Sequence, residues 1–323
     1  MAGLIDMIDY TSISKIKRVA ELAKKAAILE VNASKPGNIT PDNEFEDTTY
    51  RDFLLGCYAI RNAIEQSAIN GFRADRGEIR FSRIGIGKYI KKAVSDVRAS
   101  HKGGNTHLGI IMLFIPLAVA AGMCISQGVS FRKKLQDNLR KCIMLSSVED
   151  SIELYDAILI SGMNNLGKEK ELDVRDDKSR LELKERNINL EQLMKVSSDR
   201  DTIARELSSG MGIIFDTGIP TFERLYNKIK DTNLSIIQTY LILLSRFPDS
   251  LISRKVGRKK AEEVSRKAKN TLDKGGVITE EGRKEIERFD RYLRSKGNKL
   301  NPGTTADLIA AILFVWLLNN YFE

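Results

Sequence analysis

The sequence offers little from which to build a disulfide framework or a histidine metal centre. Of 323 residues only three are cysteines, Cys57, Cys124 and Cys142, widely spaced and without a Cys-x-x-Cys pair. That spacing indicates neither a disulfide scaffold nor a zinc site and leads us to expect a reducing, cytoplasmic setting. The two histidines, His101 and His107, exclude a His-rich metal centre, so a divalent cation has to sit on carboxylates or on a ligand's phosphates. Aromatic residues make up 7% and no nucleic-acid-binding module is recognisable, so no nucleic-acid partner is expected. Asp6 and Asp9 interrupt the N-terminal stretch and speak against a secretory signal. Low-complexity segments, fixed-period repeats and convincing alternating strands are also missing.

What is present is helical periodicity, with 42% hydrophobic residues and a net charge of +9. We expect an all-α fold, a single compact multi-helix domain over 1–323 with buried central helices. A charged flap or insertion is expected near 167–202. The positive balance suits an anionic partner, and charge alone does not choose among nucleic acid, a membrane surface and a polyphosphate ligand.

The chain is organised around Gly103-Gly104-Asn105-Thr106-His107-Leu108-Gly109 and the apolar run Leu108 to Ile125 that follows. Two glycines permit a tight turn, and Asn105 and Thr106 are residue types that cap a helix. The run is 18 residues long and just reaches membrane-spanning length. Its Gly109, Pro116 and Gly122, with several alanines, favour a core helix instead, and no membrane partner is expected. The first turn of such a helix is a fitting seat for phosphate.

A first helix over residues 11–34 has an apolar stripe at Ile16, Ala20, Ala23 and Ala27, and the next step of that stripe is Glu30. A core-facing carboxylate is costly unless paired or bound to a cation. Lys35-Pro36-Gly37-Asn38 then makes a turn, so Glu30 and Lys35 converge. Two readings stay open, a buried ion pair sealing the turn and a pair facing a ligand. Thr49 and Asp52 have the spacing of a helix cap, opening a helix over residues 50–70. Gly85-Ile86-Gly87-Lys88 is neither a P-loop nor a dinucleotide fingerprint. Residues 132–141 read as a basic connector, and 150–160 as a helix with Glu149, Asp150 and Asp156 as cap and surface carboxylates.

Near the C-terminus, Asp249 follows the helix-ending Pro248 and is expected to point into a cleft, while the fork of Arg254 suits phosphate oxygens. Eight Lys or Arg lie between Arg254 and Lys269; a solvated helix and an electrostatic funnel both fit them. Pro302-Gly303 makes a second turn, with Thr304 placed to cap an apolar helix and Asp307 spaced for a capping box. The apolar run Leu308 to Leu318 is too short to span a bilayer and suits a core.

Four of these blocks, in order, resemble the triphosphoribosyl-dephospho-CoA synthase family. They are Glu30-Val31…Lys35-Pro36-Gly37, Gly103-Gly104-Asn105-Thr106-His107…Gly109, Asp249-Ser250…Arg254…Gly257, and Phe289-Asp290…Leu300-Asn301-Pro302-Gly303-Thr304-Thr305-Ala306-Asp307-Leu308. Asn38-Ile39, Lys88 and Leu108 depart from the bacterial pattern, and Lys-Pro-Gly-Asn looks more like the archaeal-type branch. The resemblance implies transfer of the 5-triphosphoribosyl group of ATP to the 2′-hydroxyl of 3′-dephospho-CoA with release of adenine, assisted by Mg²⁺. It also implies that Glu30, Asp249 and Asp307 divide the catalytic base and metal-binding roles. Lys35, Gly37, Asn38, Gly104, Asn105, Thr106, His107, Arg254, Gly303 and Thr304 would bind the nucleotide and its phosphates. A related ribosyl or phosphoribosyl transfer to another acceptor and a non-catalytic nucleotide-binding role remain as alternatives, and a homo-oligomer is allowed.

Overall fold

The apolar run that dominates the sequence becomes the axis of the molecule. In the computed structural model, which describes residues 8–104, 106–162 and 171–323, every other element is placed by how it covers this run or extends its cover. The chain begins with α1 (Tyr10–Asn32), capped by the Asp9 carboxylate, which accepts the Ser12 N–H at 2.9 Å. Its stripe Ile16, Ala20, Ala23 and Ala27 is buried, and the stripe does continue to a buried Glu30.

The single helix expected over 50–70 is instead two, α2 (Tyr50–Ala59) and α3 (Arg61–Asp75). Thr49 and Asp52 form the expected capping box. The ladder is interrupted at the fully buried Ile60, which lets α3 turn its small residues Ala63, Ser67, Ala68 and Gly71 onto the axial helix. A 3-10 turn and Gly85, held at φ 78°, lead into α4 (Ile86–Ser100). The axial helix itself is α5 (Leu108–Gln127).

The expected basic connector is a helix, α6 (Phe131–Met144), because Leu135, Leu139, Cys142 and Ile143 form a buried stripe between its surface cations. Then come α7 (Val148–Ile160), opened by a Ser147–Asp150 capping box, α8 (Asp177–Glu185) and α9 (Leu190–Ser197). Next are α10 (Thr202–Ser209), a π-helical turn at Ile213–Gly218, α11 (Ile219–Ile229) and α12 (Thr232–Arg246). The chain closes with α13 (Ser250–Val256), α14 (Arg258–Asp273), α15 (Glu280–Arg294), a four-residue extended segment at Ser295–Asn298 and α16 (Gly303–Phe322). No multi-stranded sheet forms among the described residues, and the fold is all-α.

Helices α1, α3, α4, α6 and α16 pack around α5. Helix α16 is longer than its apolar run suggested, with 20 residues, so by length and composition both α5 and α16 could cross a bilayer. Their apolar windows are 89% and 72% buried inside the fold, as core helices are.

Candidate active site

The end of α1, the starts of α5 and α16 and the segment from 171 to 204 enclose a cavity of about 340 Å³. Glu30, in the last turn of α1, lines it. The Lys35 ammonium lies 2.9 Å from Glu30 Oε1 and also donates to the carbonyls of Glu30 and Ala33. All three of its protons are thereby used inside the fold, and Lys35 does not line the cavity. The turn that follows is equally anchored: the Gly37 N–H donates to Asp290 Oδ1 at 2.7 Å, and Asn38 Nδ2 donates to the Tyr240 hydroxyl at 2.8 Å. Asn38 lines the cavity; Gly37, with φ 77° and Leu293 pressed against it, lies behind.

Asp307 projects from the second turn of α16 towards the first turn of α5. A Cβ on Gly109 would lie 2.0 Å from Asp307 Oδ2, which is why this place in α5 takes a glycine. Asp307 lines the cavity, and no hydrogen bond or ion pair reaches its carboxylate among the described residues. Burial first, and then the negative charges of Glu30 and Asp249, push its pKa well above the usual carboxylate range.

Asp249 corrects an expectation. Instead of pointing into a cleft it caps α13, accepting the N–H groups of Leu251 at 2.9 Å and Ile252 at 3.1 Å. Its other oxygen accepts the N–H and hydroxyl of Thr305, both at 2.8 Å. Four donors hold it in the wall, and it is not among the cavity-lining residues. The expected trio of carboxylates therefore does not line one cavity, although all three lie near enough to interact electrostatically, and no group of three His, Cys, Asp or Glu side chains among the described residues could hold a metal ion. The expected Thr304–Asp307 capping box is also absent, because α16 starts at Gly303 and the Thr304 hydroxyl is taken by Ser250 Oγ at 3.1 Å. Gly303 and Thr304 both line the cavity.

Asn105 lies outside the described residues. Its neighbour Thr106 lines the cavity, but instead of capping α5 its hydroxyl joins His107 Nδ1 at 2.6 Å and His101 Nε2 at 3.2 Å. The Gly103 N–H donates to His101 Nδ1, which assigns the protons in series: His101 Nε2–H to Thr106, Thr106 O–H to His107 Nδ1, and His107 Nε2–H to the Cys57 sulfur. His107 is sealed off, and burial lowers its pKa to about 3, so it is a neutral structural link. Gly104 does not line the cavity; its N–H donates to the Asp47 carbonyl at 3.4 Å.

Arg254 lines the cavity and is ion-paired with Asp201. Along α14 the basic residues pair with acids, Arg258 with Glu262, Lys260 with Glu263 and Lys269 with Asp273, as on a solvated helix. The wall that sequence reading missed comes from the segment assigned to a charged flap. Its described part folds as α8 and α9 and gives the cavity Leu172, Val174, Leu193 and Met194, along with Arg200 and Asp201. The spacing Leu190, Leu193, Met194 was the available signal, a buried helical stripe inside a charged stretch.

Residues 16–323 match the family model described as ATP:dephospho-CoA triphosphoribosyl transferase. The chain belongs to this family. It is 25% identical over 313 residues, 95% of this chain and 92% of its relative, to a protein of Acinetobacter calcoaceticus named "Probable 2-(5''-triphosphoribosyl)-3'-dephosphocoenzyme-A synthase". A synthase of the same description from Escherichia fergusonii is 23% identical, with 96% of this chain and 93% of that one covered. Among solved structures, a protein of Archaeoglobus fulgidus assigned to triphosphoribosyl-dephospho-CoA synthase shares the fold at a TM-score of 0.60 and 24% identity, covering 83% of this chain and 99% of that one. Family membership makes the chain a transferase and gives the cavity a reaction class to be judged against.

Proposed function

We propose that this chain transfers the 5-triphosphoribosyl group of ATP to the 2′-hydroxyl of 3′-dephospho-CoA. In this reaction the C1′–N9 bond of ATP breaks with its electron pair going to adenine, the acceptor oxygen bonds to C1′, and the hydroxyl proton ends on the released base. The observation that carries the reading is a cavity whose lining includes the carboxylates of Glu30 and Asp307 and the guanidinium of Arg254. Carboxylates suit the positive charge that develops at C1′ and the proton leaving the hydroxyl; a guanidinium suits the phosphates. Asp307, whose carboxylate no hydrogen bond or ion pair reaches among the described residues, is our candidate to relay the hydroxyl proton to adenine, its raised pKa making it the stronger base. Glu30, held by Lys35, faces the sugar as a fixed charge. Mg²⁺ would enter with ATP, held chiefly by the oxygens of the triphosphate, since no group of three metal-binding side chains gathers among the described residues, and when bound it would supply neutralisation of the triphosphate.

The test is adenine release from ATP and Mg²⁺ with and without 3′-dephospho-CoA, followed by mass spectrometry of the acceptor. Asp307→Asn should lower kcat by about 10²-fold or more while the protein stays folded. Intact turnover in both Asp307→Asn and Glu30→Gln would sink the assignment. One observation favours a second reading with a different acceptor: Leu108, where bacterial members commonly carry lysine, lines the cavity and offers no charge. Adenine release coupled to another hydroxyl compound, with a matching adduct mass, would select it.

A further inference from the structure

Asp201 was not anticipated as a site residue, yet its two oxygens face different tasks. Oδ1 accepts the Ala204 N–H at 3.0 Å and caps α10, whose Ile203 and Ala204 line the cavity. Oδ2 holds Arg254 Nη1. Arg254 comes from α13, 53 residues further along the chain, and both partners are largely buried, with side chains 24% and 20% exposed. The same junction is knit by the Thr202 N–H donating to Ser250 Oγ at 3.2 Å and by Ser250 meeting Thr304. Among the described residues only one guanidinium nitrogen of Arg254 is engaged, so the rest of the fork remains for a ligand in the cavity it lines.

We infer that Asp201 is a positioning residue for polyphosphate: it fixes the guanidinium of Arg254 at the cavity wall so that the free edge of the fork meets phosphate oxygens. This rests on the proposed ATP-dependent reaction only for the identity of the phosphate carrier. An unanchored arginine of this length samples many rotamers, and a tether at one nitrogen leaves fewer to be lost on binding. Asparagine caps a helix as well as aspartate does, but its amide carries no charge to hold a guanidinium. Asp201→Asn therefore separates the cap from the tether.

The experiment measures binding of inorganic tripolyphosphate by calorimetry to wild type, Asp201→Asn, Arg254→Ala and the double variant, alongside the KM for ATP in adenine release. We expect Asp201→Asn to melt within about 3 °C of wild type. It should bind tripolyphosphate about tenfold more weakly and raise the KM for ATP in proportion, with kcat changed less than about twofold. In the Arg254→Ala background the same change should have no further effect. Unchanged or tighter tripolyphosphate binding by Asp201→Asn, or an equal loss in both backgrounds, overturns the inference. If wild type binds tripolyphosphate in an Asp201-dependent way yet releases no adenine, the inference stands and the proposed reaction falls.

Discussion

Lys35 matters to the fold before it can matter to a ligand. Its side chain is 0% exposed and its three donors go to the Glu30 carboxylate and the carbonyls of Glu30 and Ala33. Removing one partner of a buried pair leaves the other charge uncompensated, which costs far more than the pair contributes net. We expect Lys35→Ala to lower stability by about 3–5 kcal/mol, read as the shift in urea midpoint at constant slope. A change below about 1 kcal/mol would mean that Glu30 finds solvent instead. The pair was legible because the α1 stripe leads to Glu30 and the proline turn returns Lys35 to it. The buried ion pair is present, and Glu30, though not Lys35, also lines the cavity. Asp249 was not legible, because the Thr305 donors that turn it inward come from 56 residues away.

Among the elements, the join between α10 and the π-helical turn depends on one side chain. Glu206 accepts the Ile213 N–H at 3.0 Å and the Ile214 N–H at 2.9 Å, closing the turn over a left-handed Met211 at φ 60°. Burial raises its pKa from 4.5 to about 7, against the lowering effect of those two N–H groups and Arg205; Asp216 adds to the rise. Between pH 4.5 and 7 the folded chain keeps a proton that the unfolded chain has released, so this contribution to stability is present at low pH and is lost as pH rises through 7. Its size is on the order of 3 kcal/mol. Denaturation at pH 5 and pH 7.5 should show a smaller loss of stability on going to the higher pH in Glu206→Gln than in wild type. Identical pH dependence in the two proteins would place Glu206 in solvent. The cavity wall from α9 and the flanking loops was hard to see at this same scale, because a helix of eight residues carries only a short apolar stripe inside a charged stretch.

For the whole molecule, the decisive contact is backbone against backbone. A Cβ at Gly122 in α5 would lie 1.9 Å from the Ala68 carbonyl oxygen of α3, and one at Gly71 in α3 would lie 2.1 Å from the Val119 carbonyl oxygen of α5. Glycine in the apolar run was a sign of a core helix, and its partner helix was beyond reach because nothing in one sequence says which small-residue face meets it. Neither carbonyl can swing aside as a side chain would, so Gly122→Ala must push α3 and α5 apart and should cost about 3 kcal/mol. Gly128, at the C-terminal cap of the same helix with φ 63°, has nothing within 4 Å, so Gly128→Ala should cost only about 1 kcal/mol through its left-handed backbone. The comparison bears on function as well, because α5 is continuous from Gly122 to Gly109, whose Cα rests against Asp307. Displacing the middle of that helix shifts the surface that the Asp307 carboxylate faces. Gly122→Ala should therefore lose adenine release even well below its melting temperature, and Gly128→Ala should keep it. Equal activity in both folded variants would mean that the cavity end of α5 is held independently of its crossing with α3.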